Sequence, residues 1–352
     1  MPPRDESRNH HRQPPSDRRA MTRRQFVRQL PAAATAAGTL LGCDRSGGAP
    51  IPKPPGDRAR VVIARDGQLA RGHPREHVKL LAKMLDAALT KLTGLPDAKQ
   101  AWSALFRPGD VVGIKVNTLG RSTHPQVADA IVAGLTRAGV PARNIIIWDR
   151  FDVELQAAGY RMGRSSDGVK CYGTDARPGT GGAGYERTVE SSGEIGSCFS
   201  RIVTRQVTAL ISAGVLKHHD LAGVSGTLKN FYGAIHNPNK YHDDHCSPYV
   251  ADVVRHPHIG PKLRLAVMDG IEAQYHAGPA KHPGFTWPFA GLLVGRDPVA
   301  VDRVSADIID RKRVEKRMKT LAQDRRPIAH VMTAADRGLG VADLSKIDRV
   351  EL

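Results

Sequence analysis

Short, continuously apolar runs alternate along this chain with longer segments in which apolar residues recur every three or four positions. Val61-Val62-Ile63-Ala64 reads as a buried strand. Val78, Leu81, Leu85, Leu89 and Leu92 then mark one face of a helix that Gly94 and Pro96 end. Val111-Val112-Gly113-Ile114-Lys115-Val116 predicts the next strand. A helix follows, opened around Thr123 and Pro125, apolar at Val127, Ile131, Val132 and Leu135, and stopped at Gly139. Asn144-Ile145-Ile146-Ile147-Trp148-Asp149 predicts another strand, and further strands fall at 208–216, 263–268, 291–294 and Arg349-Val350. Asp297-Pro298 opens the last long helix, an Asp cap followed by a first-turn proline. Strands apolar at every position need cover on both faces. The order therefore predicts an α/β fold: a largely parallel, or mixed, sheet with helices on both faces and one body over residues 58–352. The Gly-rich stretch 173–197 and the His- and Pro-rich stretch 236–260 read as long loops, with insertions at 150–200 and 236–262 crowding one end of the sheet.

The N-terminal region departs from this pattern. Residues 1–20 are polar and read as disordered. Thr22-Arg23-Arg24-Gln25-Phe26-Val27 leads into a mild Ala/Thr/Gly/Leu run that ends Leu40-Leu41-Gly42-Cys43. The apolar part, Leu30 to Leu41, carries Pro31, Thr35, Gly38 and Thr39 and is too short for a bilayer span, which needs about 20 apolar residues. An arginine pair, a weak apolar run and a lipobox cysteine read together as a twin-arginine export signal over residues 1–43, with lipidation at Cys43. Residues 44–57, rich in Pro, Gly and Ser, read as a tether. The expected location is the bacterial cell envelope, lipid-anchored or periplasmic, reached through the twin-arginine translocase.

Charge changes this picture little. The formal net charge is +17, and residues 43–352 keep 44 basic and 32 acidic side chains. Such a balance suits anionic headgroups, envelope polymers or an anionic substrate. Export, 5% aromatic content and the lack of a base-reading helix argue against nucleic acid. Beyond Cys43 the cysteines are Cys171, Cys198 and Cys246, none in a Cys-x-x-Cys spacing, so there is no intrinsic iron–sulfur motif. One disulfide, Cys171–Cys198, is permitted in an oxidising envelope.

Candidate chemistry concentrates between Leu216 and Gly233. An apolar strand delivers Lys217 and His218 to its C-terminal end, the edge at which open parallel sheets bind ligands. Gly223, Ser225, Gly226 and Thr227 then read as a helix start whose backbone N–H groups favour an anion, with Lys229 and Asn230 in its first turn. Lys217, His218, Lys229 and Asn230 are the expected catalytic set. Lys115, Asn117, Gly223, Ser225, Gly226, Asp149 and Asp269 are the expected substrate contacts, and Asp302 is a further carboxylate able to face them. His236, His242, Asp243, Asp244, His245 and Cys246, with His256 and His258 nearby, carry nitrogen, oxygen and thiolate ligands. His242, His245 and Cys246 are accordingly expected to hold a divalent transition metal. Gly179-Thr180-Gly181-Gly182-Ala183-Gly184 has dinucleotide-loop spacing, but no strand precedes it and no apolar helix follows, so it reads as a loop. No phosphate-binding Walker sequence, His-Glu-x-x-His pair or Gly-x-Ser-x-Gly elbow is present.

Five ordered motifs carry a resemblance. They are Gly113-Ile114-Lys115-Val116-Asn117; Thr123-His124-Pro125; Ile147-Trp148-Asp149-Arg150; Leu216-Lys217-His218 with residues 223–233; and Asp297-Pro298-Val299-Ala300-Val301-Asp302. In these the chain resembles the domain of unknown function 362 family. That resemblance implies a redox-linked setting, since many members carry a fused four-iron ferredoxin segment, whose cysteines are missing here. At the level of fold alone, the chain is also similar to the N-terminal domain of the lactate-racemase family, where a lysine precedes a Gly-rich turn near histidines. Two functions stay open: an envelope protein that binds or transforms a small anionic substrate, with or without metal, or a non-catalytic anion- or metal-binding accessory to a redox partner protein.

Overall fold

In the computed structural model the apolar runs become the strands of one mixed sheet. It describes residues 58–71, 74–175 and 183–352; the expected export signal with Cys43, the expected tether and Gly179 to Gly182 lie outside the described residues. The strands are β1 (Ala59–Arg65), β2 (Val112–Lys115), β3 (Ile145–Trp148), β4 (Lys170–Cys171), β5 (Glu190–Ser192), β6 (Ile195–Ser197), β7 (Ala209–His219), β8 (Gly223–Val224), β9 (Leu263–Gln274), β10 (Thr286–Trp287), β11 (Gly291–Gly295) and β12 (Ile347–Glu351). The α-helices are α1 (Val78–Thr93), α2 (Ala98–Ser103), α3 (Pro125–Arg137), α4 (Asp152–Ala157), α5 (Tyr249–Arg255), α6 (Pro298–Glu315) and α7 (Ala329–Asp336).

The ten-stranded sheet runs β12-β1-β11-β9-β7-β2-β3-β4, with β10 beside β9 and β8 beside β7. From β9 to β4 every neighbouring pair on this path is parallel, while β11 is antiparallel to both β1 and β9. Period-two alternation divides the core. Val62, Val112, Ile211 and Val267 join Leu81, Leu85, Trp102 and Ile131 of α1–α3 on one face. Val61, Leu210, Met268 and Leu293 join Val253, Val301, Ile309 and Val331 of α5–α7 on the other. Every residue of β7 is buried, the apolar run and the polar Ser212, Lys217, His218 and His219 alike. Asp297 caps α6 by accepting a hydrogen bond from Ala300 N at 2.9 Å. Among the described residues no helix is long and apolar enough to cross a membrane.

Three expectations need correction. The segment from Gly223 is not a helix start. It turns back as β8, antiparallel to β7 with His218 opposite Val224 and His219 opposite Gly223, and a short 3-10 helix, Lys229–Ala234, follows. Neither expected long loop is unbroken: 173–197 ends in the antiparallel β5–β6 hairpin, and 236–260 contains α5 and two 3-10 turns. Cys171, Cys198 and Cys246 are all free thiols, so the permitted Cys171–Cys198 disulfide is not formed.

Candidate functional site

The C-terminal ends of β2, β3 and β7 bring two buried lysines, Lys115 and Lys217, and the carboxylate of Asp149 to one edge of the sheet. Lys115, at the end of β2, is fully paired. Its Nζ lies 2.6 Å from Asp149 Oδ1 and donates to Val116 O at 2.7 Å and Asn230 Oδ1 at 3.0 Å. Asn230 is equally committed, its Nδ2 donating to Lys115 O at 2.8 Å and Ser212 Oγ at 3.1 Å. Asp149 Oδ2 accepts from both Thr118 N and Thr118 Oγ1 at 2.8 Å. Gly233 lets the 3-10 helix lie directly on this pair, since a Cβ there would sit 2.6 Å from Asp149 Oδ1 and Lys115 Cε. Burial lowers the Lys115 ammonium and Asp149 opposes that shift. Lys115, Asp149 and Asn230 thus form a closed clamp with its polar groups already used.

Lys217 is built differently. Only 1% exposed, it donates to Asn117 Oδ1 at 2.8 Å, Leu119 O at 2.6 Å and Arg121 O at 2.7 Å, which ties down the turn after β2. Among the described residues no carboxylate lies within ion-pair distance of it. Its pKa falls to about 7, first through burial and then through the charge of Lys229, with Asp149 opposing and Arg121 and Lys115 adding to the fall. Arg121, itself buried, pairs with Glu272 through Nη1 but leaves Nε and Nη2 buried without partners.

Lys229 is the half-buried member of this positive group. Its Nζ lies 3.0 Å from His242 Nε2 and 4.7 Å from the centroid of the Tyr232 ring. Because His242 Nδ1 donates to Pro238 O at 3.0 Å, His242 Nε2 is the acceptor and Lys229 the donor. Burial lowers Lys229 to about 8, with Cys246 opposing. His219 stacks on His242, ring centroids 5.9 Å apart, and accepts the Leu221 and Ala222 N–H groups on Nδ1, so its Nε2 carries the proton. Burial, then the charges of Lys229 and Lys217, hold His219 neutral. His330, from α7, is buried with both ring nitrogens unpartnered; burial and then Lys229 lower it to about 3. Ser225 Oγ in the β7–β8 hairpin is also buried without a partner.

The other expected residues take separate places. His218 points away from Lys217 because successive strand residues face opposite sides. Its Nδ1 accepts Gly278 N–H at 3.3 Å, its ring lies 5.4 Å from that of His276, and its Nε2 is unpartnered. Burial, then Arg313, lower it to about 3. Asp269 holds the start of α3, accepting the His124 backbone N–H at 2.7 Å and contacting His124 Nδ1 at 2.8 Å. Asp302 replaces the expected anion: its carboxylate accepts Thr227 N at 2.6 Å, Thr227 Oγ1 at 2.8 Å and Leu228 N at 2.9 Å. Burial pushes it up to about 7 against those hydrogen bonds. Gly226 is needed there, with φ +66° and its virtual Cβ 2.2 Å from Asp302 Oδ2. Gly223, φ +75°, backs onto Arg326 and Pro327 in the same hairpin.

The expected metal trio does not converge. His242 faces Lys229, and His245 Nδ1 lies 3.0 Å from Leu221 O, whereas Cys246 is buried beside Lys229 and Tyr232. Asp244, His245 and Cys246 all have positive φ, a left-handed turn that costs L-residues about 1–2 kcal/mol each, and among the described residues their ligand atoms join no converging group of three. His219 has a sequence signal, since it is two residues from Lys217 on one strand. His330 has none; it is a lone histidine in an apolar helix more than a hundred positions away.

The five motifs all fall within the segment that one family model matches. No curated protein and no solved structure matches the chain. The model described as domain of unknown function (DUF362) matches residues 112–307, from β2 to the middle of α6 and more than half of the 352 residues. The chain therefore belongs to the DUF362 family.

Proposed function

We propose that this protein is exported by the twin-arginine route, anchored in the cell envelope through Cys43, and binds or transforms a small anionic ligand beside Lys229. The carrying observation is the electrostatic imbalance around that side chain. Lys217 and Lys229 are held at about 7 and about 8, and among the described residues neither has a carboxylate at ion-pair distance. A carboxylate or phosphate placed there would supply the missing counter-charge and accept from Lys229, which spends one donor on His242. His219 Nε2–H and one nitrogen of His330 are further donors, on rings close enough to Lys229 to feel its charge. Lys217 contributes field rather than contact, because its three donors hold the 117–121 turn. Lys229 and His242 are half-buried, so the ligand enters past them.

With its pKa lowered to about 8, Lys229 is a candidate proton donor to the ligand, and His242 Nε2 orients it by accepting one of its hydrogen bonds. Binding without chemistry, in support of a redox partner, rests on the same contacts and differs in whether the ligand leaves unchanged. The test is calorimetric titration with inorganic phosphate and with malonate. Wild type should bind at least one of them, and Lys229→Ala should weaken that binding about tenfold or more, as expected for losing a charge-assisted hydrogen bond of roughly 1.5–3 kcal/mol. Equal affinity in the two proteins would remove Lys229 from the site. Changing Arg23 and Arg24 to Lys should block export, and Cys43→Ala should release the protein from membranes on cell fractionation. Unchanged export or unchanged membrane association would refute the respective claim.

A further inference from the structure

A second polar cluster lies outside the lysine edge, where the β5–β6 hairpin meets the end of α5. Glu190 stands at the start of β5, and His256 and His258 follow α5. One Nε2 from each histidine converges on the same carboxylate. His256 Nε2 lies 3.5 Å from Glu190 Oε2, and His258 Nε2 lies 3.2 Å from both Oε1 and Oε2. Among the described residues this is the one trio of His, Cys, Asp or Glu whose ligand atoms all fall within 4.8 Å of one another.

These separations are long for charge-assisted hydrogen bonds, which run about 2.7–2.9 Å. They match the edge of a coordination tetrahedron: zinc bonds of about 2.0–2.2 Å to imidazole nitrogen and carboxylate oxygen put neighbouring ligand atoms about 3.3–3.5 Å apart. The ligands are also held from behind. The His256 ring stacks on Phe199 with centroids 4.0 Å apart and planes 27° apart. The hairpin carrying Glu190 is pinned independently by Asp252, which accepts Glu194 N on Oδ2 at 2.9 Å and Ser192 Oγ on its carbonyl at 2.9 Å. The side chains of Glu190 and His258 are 36% and 28% exposed, which leaves a side open for water as a further ligand.

We propose that Glu190, His256 and His258 form a binding site for one divalent transition cation of the zinc type, completed by solvent. Two neutral imidazoles and one carboxylate suit such a borderline cation better than calcium or magnesium, which take oxygen ligands. Binding at His256 Nε2 places its remaining proton on Nδ1, so the 3.3 Å contact that Nδ1 now accepts from His258 N must open. The bound cation clips the hairpin to the end of α5. The site stands apart from the anion reading and does not depend on it.

The test uses the full chain without a histidine tag, stripped with a chelator, then titrated with Zn²⁺ against a competing dye and with Co²⁺ followed by its visible absorption. One equivalent should bind, with a cobalt spectrum of low-symmetry coordination. Glu190→Gln, which keeps side-chain shape, and His258→Ala should each raise Kd by roughly 100-fold or more, since losing even an outer-shell partner of a metal ligand costs about 10–100-fold. Paired alanines at His242 and His245, or at His10 and His11, should leave binding unchanged. Tight binding that survives Glu190→Gln in a protein with native circular dichroism, or that disappears with His242 and His245, would overturn the assignment, as would absence of binding in wild type.

Discussion

Two buried lysines at one sheet edge, Lys115 and Lys217, are both 1% exposed and both spend three donors, yet their surroundings are opposite. Lys115 meets Asp149 at 2.6 Å, and Asn230 closes the remaining valence. Lys217 meets neutral oxygens and the positive charges of Lys229 and Arg121. The first arrangement is complete without a ligand. The second leaves net positive charge in a medium that solvates it poorly, which the proposed anion would offset. Lysine content alone therefore says little; the location of the counter-charge separates a closed clamp from the proposed binding site.

The sharpest way to break this contrast is to remove the counter-charge from the clamp. Asp149→Asn should cost about 3–5 kcal/mol in urea unfolding at neutral pH, the usual loss when one partner of a buried pair is removed. A cost below about 1 kcal/mol would mean that the clamp is not held by the ion pair. Lys229→Ala should do the reverse, leaving folding nearly intact while weakening anion binding.

Acidity sharpens the contrast further. Lys217 and Lys229 sit at about 7 and about 8 in the fold against 10.5 as reference. Between those values the unfolded chain binds more protons than the native one, so their contribution to stability rises with pH from about 7 toward 10.5. His218, His219 and His330 are also lowered, so stability should fall as pH drops below 6.5, where only the unfolded imidazoles protonate. Thermal unfolding at low buffer concentration from pH 5 to 10 reads both limbs. Saturating anion should flatten the alkaline rise, and Lys229→Ala should reduce it; an unchanged alkaline slope in that variant would contradict the assigned environment.

The smallest expected effect concerns His330. Replacing a buried ring with two unpartnered nitrogens by leucine should stabilise the unliganded protein by up to about 1 kcal/mol while reducing anion affinity. Chemical denaturation and calorimetry on the same preparation measure the two signs. Destabilisation with unaltered affinity would make His330 a packing residue.

The hydrophobic pattern by itself determined most of the architecture. Runs such as 61–64 and 144–149, and the spacing of Leu81, Leu85 and Leu89, report burial directly, because a strand or helix must hide its apolar face wherever it packs. Delivery of Lys217 to a strand end was legible for the same reason. The sequence also held the alternation that separates His218 from Lys217 and His219, but its use requires knowing that β7 continues to His219. Tertiary structure alone decided the rest. Asp302 reaches across from α6 to take the N–H groups of Thr227 and Leu228, so the Gly-rich segment binds a carboxylate of its own chain and forms a hairpin rather than opening a helix. His330, Arg121 and the meeting of Glu190 with His256 and His258 depend on elements distant in sequence. Local propensity reports how a segment hides its own apolar groups. Which charges and lone pairs meet is settled only when the sheet order brings separate segments together.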